Sequence, residues 1–342
     1  MRKKLGLIIG DGWISAIEIK KILDFYLSDD IKFEIQNWRH KSLKNLQNDN
    51  LRIEKGYIEN IKLQKNIYKN INKYAIIVVH FAPLKKIVFN NNKNLKLIAS
   101  LRSGIENINP MLAKKNKIKI VNNPGRNANA VKEYTIAMML NLLRQINVFS
   151  LKMNKKIWPN ITSQKYGHPT FIGELKSSKI GIIGFGLIGK SVAKILKNFG
   201  SEILIYEPDK NKHIKYFTFV NLNYLLRNSD IVSFHAKSKN VILGKKNFNL
   251  LKKNCFIINS SRSNLIDEKM LLDSLRKKKI AGAAIDVFEK EPIPKNHPLF
   301  KLDNVILTPH IAGASDQMLS DCIHIVGKKI QKKMVHLKNK NS

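Results

Sequence analysis

Along the whole chain, short apolar runs of four to eight residues alternate with segments whose apolar positions recur every three or four residues. Runs bounded by turn residues read as buried strands, and the longer period reads as amphipathic helix. The first half offers LGLII (5–9), KFEIQNW (32–38), YAIIVVH (74–80), LKLIAS (95–100) and IKIV (118–121). Between the first two lies SAIEIKKILDFYL (15–27), which has helical spacing. This alternation predicts one open, parallel α/β sheet. A loop, NNPGRNANA (122–130), then leads into the apolar segment VKEYTIAMMLNLLRQINVF, predicted as one long buried helix with Asn129 as N-cap.

Residues 151–177 are polar and irregular, with Trp158-Pro159 and Gly167-His168-Pro169. A second strand series follows: KIGIIG (179–184), EILIY (202–206), FTFV (217–220), DIVSFHA (230–236), CFIIN (255–259), AGAAIDVF (281–288) and NVILT (304–308). The tail from Ala314 is helical and too short to form a domain, so it is expected to pack back on the first half. The fold class predicted is α/β, with two Rossmann-like or flavodoxin-like open parallel-sheet domains and a cleft between them. Residues 1–121 plus 314–342 form one domain and 122–313 the other.

Within the second series, GFGLIG follows a strand and opens the helix KSVAKILKNFG (190–200), and a further strand ends at Glu207, 18 residues past the last glycine. A glycine triplet alone is weak evidence, but strand, loop, helix, strand and acid in this order form the dinucleotide-binding unit. Gly184 permits the turn, Gly186 lets backbone approach a pyrophosphate, and Gly189 lets helix pack on strand. The pyrophosphate would lie at the helix N-terminus beside Leu187 and Ile188. The Glu207 carboxylate suits ribose hydroxyls and repels a 2′-phosphate, which favours NAD over NADP, with Lys210 and Lys212 nearby acting against that preference.

The formal net charge is +36, from 61 basic and 25 acidic residues. A nucleic-acid binder is one reading. Only nine of the basic residues are arginines, however, and the lysines run evenly from Lys3 to Lys340 with no basic arm or aromatic platform. General enrichment in Lys, Asn and Ile explains the charge better, and no specific nucleic-acid partner is expected. No apolar run is long enough to span a bilayer and no targeting segment is evident, so a cytoplasmic protein without a membrane partner is expected. Two cysteines, Cys255 and Cys322, read as structural thiols. His40, His80, His168, His213, His297 and His324 have no spaced partners and imply no metal site. Asp11, Glu133 and Asp267 read as surface, helix or cap residues.

Three polar residues fall where strands of the second series end: Arg262 after CFIINSS, Asp286 in AAIDVFEKEP and His310 after NVILTP. Open α/β sheets bind ligands at those carboxyl ends. Hydride transfer to a carbonyl needs a proton donor titrating near neutrality, which imidazole provides. A carboxylate would orient the ring, and both Glu289 and Glu291 are available. An arginine fork can bind a carboxylate and polarise a carbonyl together.

With GFGLIG, VSFHA, INSSRS, AIDVFEKEP and TPHIAGAS in order, the chain resembles the D-isomer-specific 2-hydroxyacid dehydrogenases, the group that includes phosphoglycerate dehydrogenase. The likeness extends to LRSGIENIN and NPGRNANAVKEYTIAMML in the first half. It implies an NAD-dependent oxidoreductase interconverting a D-2-hydroxy acid and its 2-keto acid. By this resemblance Arg262 binds the substrate carboxylate and carbonyl, His310 is the acid/base, and Glu291 rather than Glu289 pairs with His310. Asp286 would contact the nicotinamide carboxamide, with His235, Ala236, Ser261 and Gly313 also lining the cofactor. The first half becomes the substrate domain: backbone N–H groups of Ser103 and Gly104 hold the carboxylate, and Phe81 and Ala82 face the substrate. Arg102 could reach a phosphate or a second carboxylate, or face solvent.

Three departures from the family pattern stand out. Ser261-Arg262-Ser263 replaces Ala-Arg-Gly, Ala236-Lys237 replaces Val-Pro, and Glu207 replaces an aspartate. None removes a functional group. The resemblance also implies a homodimer, with the helix at 129–149 and the arm after it as the contact, and the chain's end implies no extra regulatory domain. Two other readings remain: a non-catalytic NAD(H)-sensing protein similar to the corepressors of this family, and a nucleic-acid binder driven by charge.

Overall fold

The structure, a computed structural model, describes residues 3–158, 173–212 and 214–338. Pro159, Gly167, His168, Pro169 and His213 therefore lie outside the described residues. Contacts divide the chain into two compact units, Met1–Arg126 with Ser315–Ser342, and Asn127–Ala314.

The first unit contains β1 (Lys4–Gly10), α1 (Ala16–Leu27), β2 (Ile31–Asn37), α2 (Leu43–Glu54), β3 (Ile76–Val79), α3 (Lys86–Asn91), β4 (Leu97–Ser100), α4 (Pro110–Lys115) and β5 (Lys119–Val121). All five strands are parallel, in the order β2-β1-β3-β4-β5. Such sheets need both faces covered, and β3 and β4 are buried at every position. One face packs Leu7, Ile77 and Ile98 against Trp38, Leu46, Val88 and Phe89. On the other, Ile8, Val78 and Ala99 meet Ile19 and Leu23 of α1 and Cys322, Ile323, Val326 and Ile330 of the C-terminal helix. Ser15 caps α1, its hydroxyl accepting from the Glu18 amide at 3.2 Å.

The second unit begins with α5 (Ala128–Arg144) and α6 (Ile146–Asn154). The single helix expected here is broken at Gln145, whose φ of 52° ends α5 in the left-handed conformation. Its N-cap is Asn127, not Asn129, which lies inside the first turn and accepts a hydrogen bond from Lys132. There follow β6 (Lys179–Ile183), α7 (Leu187–Asn198), β7 (Glu202–Tyr206), β8 (Thr218–Phe219), α8 (Leu222–Asn228), β9 (Ile231–Phe234), β10 (Phe256–Asn259), α9 (Glu268–Arg276), β11 (Gly282–Ile285) and β12 (Val305–Leu307). The chain then enters α10 (Asp316–Lys338), the helix packed on the first unit.

The second sheet is wholly parallel in the order β12-β11-β10-β9-β6-β7-β8, with the topological switch between β6 and β9. Its register aligns Leu307, Ile285, Asn259, Phe234, Ile183 and Tyr206 in one row across the strands. The next residue of each strand therefore emerges at the same carboxyl edge: Thr308, Asp286, Ser260, His235, Gly184 and Glu207. Residues scattered over some 125 positions of sequence are gathered by strand pairing alone. Among the described residues, no helix is long and apolar enough to cross a membrane.

Candidate active site

At the switch point the glycine loop leaves β6 and enters α7. Gly184 has φ +94°, and a Cβ on it would lie 2.6 Å from the Ala236 backbone nitrogen. A Cβ on Gly189 would press on the Gly184 carbonyl oxygen, so α7 packs this close to β6 only without a side chain. At Gly186, the N-cap of α7, a Cβ would meet nothing within 4 Å, leaving the backbone open beside the first-turn amides. Those amides and the positive helix end suit a pyrophosphate. Leu187 is exposed and Ile188 half-buried beside them.

Glu207 closes the other side of this loop. Its carboxylate accepts the Phe185 amide at 2.9 Å and the Asp209 amide at 3.2 Å, and Lys212 lies 3.4 Å away. Burial alone would raise its pKa, but these amides and Lys212 hold it below the usual value, so it is a carboxylate at neutral pH. Lys212 is thus engaged with Glu207 and Asp209. The ends of β9 and β10 continue the edge. His235 bonds Ser233 through Nε2 at 2.9 Å, and burial pushes its pKa down to about 4, which keeps it neutral. Ser261 donates to the Ala236 carbonyl at 3.0 Å, tying the two strand ends together.

Asn259 holds the arginine segment, its side chain donating to the Arg262 carbonyl at 2.9 Å and accepting the Ser261 amide at 3.1 Å. Arg262 itself is exposed, with Nη1 bonded to the Ser261 carbonyl at 2.7 Å. Ser263 starts a short 3₁₀ turn and has no positive φ, so replacing glycine there costs no backbone strain.

His310 and Glu291 meet directly. Nδ1 of His310 lies 2.8 Å from one Glu291 carboxylate oxygen, and the other oxygen accepts the Phe288 amide at 3.0 Å. Glu289 is exposed and outside this pair. A carboxylate only accepts, so Nδ1 carries a proton, and Nε2 is the nitrogen left to exchange one. The imidazole is about half exposed, at 54%. His310 has φ +57°, uncommon for a residue with a side chain and typical of functional turns.

Asp286 maintains that turn. It is fully buried, and one oxygen accepts the Thr308 hydroxyl at 2.6 Å and the Ile311 amide at 2.8 Å, while the other accepts the Ala312 amide at 2.9 Å. Tyr134 of α5 contacts the Thr308 hydroxyl at 2.6 Å, and because Thr308 donates to Asp286, Tyr134 donates to Thr308. The carboxamide contact expected for Asp286 is thus left with one lone pair of Oδ2. Gly313 follows, and a Cβ there would collide with the Asn127 side chain. The supports provided by Thr308, Tyr134 and Asn259 were invisible in the sequence. Asn259, the strand-end residue before SSRS, was the nearest to a signal.

In the first unit, Asp11, read as a surface, helix or cap residue, is 6% exposed and caps the turn after β1, and His80, which has no spaced metal-site partner in the sequence, is its neighbour. Asp11 accepts the Trp13 and Ile14 amides through one oxygen, and His80 Nδ1 (3.1 Å) and the Phe81 amide (3.0 Å) through the other. Arg126 donates to His80 Nε2 at 2.9 Å. Arginine only donates, so His80 is neutral with its proton on Nδ1. Burial lowers its pKa in agreement, while the His80 bond and the amides outweigh burial and lower that of Asp11. The chain was missed because its members come from the ends of β1 and β3 and the loop after β5. It fixes the Phe81–Ala82 segment through the Phe81 amide.

Arg102, for which a solvent-facing place was one expectation, is buried and stacks on the Phe81 ring at 4.8 Å. Its Nη2 donates to Glu54 at 2.8 Å and lies 3.7 Å from Glu106, whose carboxylate fills the space beside Gly104. Ser103 accepts from the Asn122 side chain through its carbonyl at 2.6 Å. Among the described residues, no group of three or more His, Cys, Asp or Glu could hold a metal ion.

A switch-point glycine loop, an acidic second-strand end and a histidine–carboxylate pair on one sheet edge define a dinucleotide-dependent oxidoreductase. Residues 136–312 match the family model described as the D-isomer specific 2-hydroxyacid dehydrogenase, NAD binding domain. The chain is 34% identical over 262 residues to a glyoxylate reductase of Thermofilum pendens, covering 74% of this chain and 76% of that one. It is 35% identical over 279 residues to a D-3-phosphoglycerate dehydrogenase of Methanocaldococcus jannaschii, covering 79% of this chain and 51% of the relative. In fold it resembles the NAD-complexed D-isomer specific 2-hydroxyacid dehydrogenase of Lactobacillus delbrueckii ssp. bulgaricus, with a TM-score of 0.73, 22% identity and 98% coverage of both chains. The chain belongs to the D-isomer specific 2-hydroxyacid dehydrogenase family and is an NAD-dependent enzyme of it.

Proposed function

We propose that the protein reduces a short 2-keto acid to its D-2-hydroxy acid, and runs the oxidation in reverse. The His310–Glu291 pair, 2.8 Å apart on the sheet edge that carries the glycine loop, supports this reading most strongly. Gly184, Gly186, Gly189 and the first turn of α7 would hold the pyrophosphate, and Glu207 the ribose of NAD. When bound, the reduced cofactor supplies the hydride that C2 of the keto acid accepts.

The chain's own residues account for the remainder. His310, with Nδ1–H held by Glu291, would deliver a proton from Nε2 to the C2 oxygen as negative charge develops there. Glu291, accepting from Nδ1, would orient the ring and leave Nε2 as the nitrogen that exchanges the proton. Arg262 would grip carboxylate and carbonyl oxygens, because its planar fork supplies paired donors. Residues Met1–Arg126 with the returning α10 would act as the substrate domain, with amides of Ser103 and Gly104 on the carboxylate and Phe81 and Ala82 as the wall. A homodimer in the cytoplasm is the proposed working form.

The test is NADH oxidation across a panel of 2-keto acids, with His310→Ala alongside. Turnover that falls at least a hundredfold in the variant is expected. Tight NADH binding with no turnover on any acid would replace this reading with that of a cofactor sensor.

A further inference from the structure

His310 leaves the second sheet from an edge strand. β12 has three residues, is half-buried at every position and pairs only with β11. An edge strand keeps one row of backbone groups without a strand partner, so it opens more readily than a central one. The left-handed turn that carries His310 therefore needs a support besides β11.

Helix α5 of the same unit touches this segment at two points. At its N-cap, the Asn127 side chain fills the space beside Gly313, where a Cβ would collide with it. Seven residues on, and so on the same face of the helix, the Tyr134 hydroxyl meets Thr308 at 2.6 Å. The helix is itself anchored, because Ile136, Met139 and Leu143 pack with Ile182, Ile258 and Ala284 of β6, β10 and β11. Phenylalanine would fill the space of Tyr134 as well; the hydroxyl is what joins α5 to the turn.

The order of protons along this contact is fixed. Thr308 has one hydroxyl proton and gives it to Asp286, so the phenol is the donor to Thr308. Burial pushes the Tyr134 pKa up to about 12, so the phenol keeps its proton at neutral pH. A hydroxyl that accepts one hydrogen bond donates the next more strongly. Asp286 in turn accepts the Ile311 and Ala312 amides, which directly follow His310.

Resting on the proposed role of His310 as acid/base, we propose that Tyr134 is a positioning residue for it. Tyr134 acts through Thr308 and Asp286 to hold the His310 turn against α5. It touches no reacting atom, and the glycine loop that would hold the cofactor does not depend on it.

The test measures kcat and KM for NADH and keto acid in wild type, Tyr134→Phe, Thr308→Val, Thr308→Ser and the double variant Tyr134→Phe/Thr308→Val. Tyr134→Phe should lower kcat about tenfold and leave both KM values within about twofold, the signature of a misplaced acid/base. Thr308→Val should lose at least as much, and Thr308→Ser, which keeps the hydroxyl, should recover most of that loss. The double variant should be no slower than Thr308→Val alone, because Tyr134 acts only through Thr308. Amide exchange at Ile311 and Ala312 should quicken about fivefold in Tyr134→Phe, with exchange in β10 unchanged. Unaltered kcat in Tyr134→Phe, losses that multiply in the double variant, or a KM for NADH that rises in step with the fall in kcat overturns the inference. Turnover undiminished in His310→Ala, or absent on every acid, refutes instead the role of His310 on which it rests. Amide exchange then still decides whether α5 holds the turn, and unchanged exchange in Tyr134→Phe overturns that too.

Discussion

Replacing Asp286 by alanine tests how the catalytic turn is built. The carboxylate accepts three hydrogen bonds, from the Thr308 hydroxyl and the Ile311 and Ala312 amides, at 2.6–2.9 Å. In the variant Thr308 can redirect its hydroxyl to Tyr134, already 2.6 Å away. Two backbone amides are then left without an acceptor, each costing about 1–3 kcal/mol where water cannot reach. The expected loss is about 3 kcal/mol, read as a lower urea midpoint with unchanged slope. Because those amides follow His310 directly, the turn that sets its φ of 57° should relax. A misplacement of about 1 Å at an acid/base can cost about a hundredfold in kcat. Stability within 1 kcal/mol of wild type, with kcat intact and only KM for NADH raised, would refute this argument. Such a result would instead favour a direct contact between Asp286 and the nicotinamide carboxamide.

Other consequences can be checked in the same assays. Arg262→Lys should lower kcat/KM at least a hundredfold while shifting stability by less than about 0.5 kcal/mol, because the side chain is exposed and its lost fork is functional; unchanged kcat/KM would contradict its role. Glu207→Gln retains the shape but removes the charge, so discrimination against NADPH should fall about tenfold, measured as the ratio of dissociation constants; an unaltered ratio would show that the carboxylate does not select the cofactor. His235 has a folded pKa of about 4 against 6.5 unfolded, so the unfolded chain binds the extra proton between those values. Its contribution is complete above pH 6.5 and lost as pH falls toward 4, amounting to about 3 kcal/mol. Urea unfolding of His235→Asn at pH 7.5 and 4.5 should therefore show a shallower pH dependence than wild type, and equal slopes would count against a neutral imidazole in the folded protein.

Strand positions and the cofactor loop were legible in the sequence because each rests on a local rule. EILIY is bounded by turns, and Gly184, Gly186 and Gly189 keep the spacing of the βαβ unit, Gly184 and Gly189 in close backbone contacts and Gly186 leaving the start of α7 open. Where local rules compete, the reading failed. The segment 131–149 carries apolar residues at helical spacing on both sides of Gln145, so periodicity gives no sign that Gln145 turns left-handed and splits it. Asn127 and Asn129 are equal capping candidates by residue type, and only the course of the preceding loop chooses between them.

Long-range pairing was least visible. Asp11 follows a glycine and precedes another, the setting of a surface turn, yet strand order places it beside His80, 69 residues away. Asp286 reads as a ligand contact when its strand is taken alone, and becomes the anchor of the His310 turn once β12 lies next to β11. Arg102 offers the same lesson: its partner Glu54 ends a helix 48 residues earlier. Charge and residue type identified the arginine, but only packing revealed that its charge is already answered.

The central claim is stereospecific hydride transfer assisted by His310. Incubating the protein with NADH deuterated at C4 and hydroxypyruvate or glyoxylate, then analysing product by chiral chromatography and NMR, tests it directly. The account predicts deuterium at C2 of the product, the D-hydroxy acid alone from hydroxypyruvate, and loss of both signals in His310→Ala. An L-hydroxy acid, or label incorporation undiminished in that variant, would contradict it.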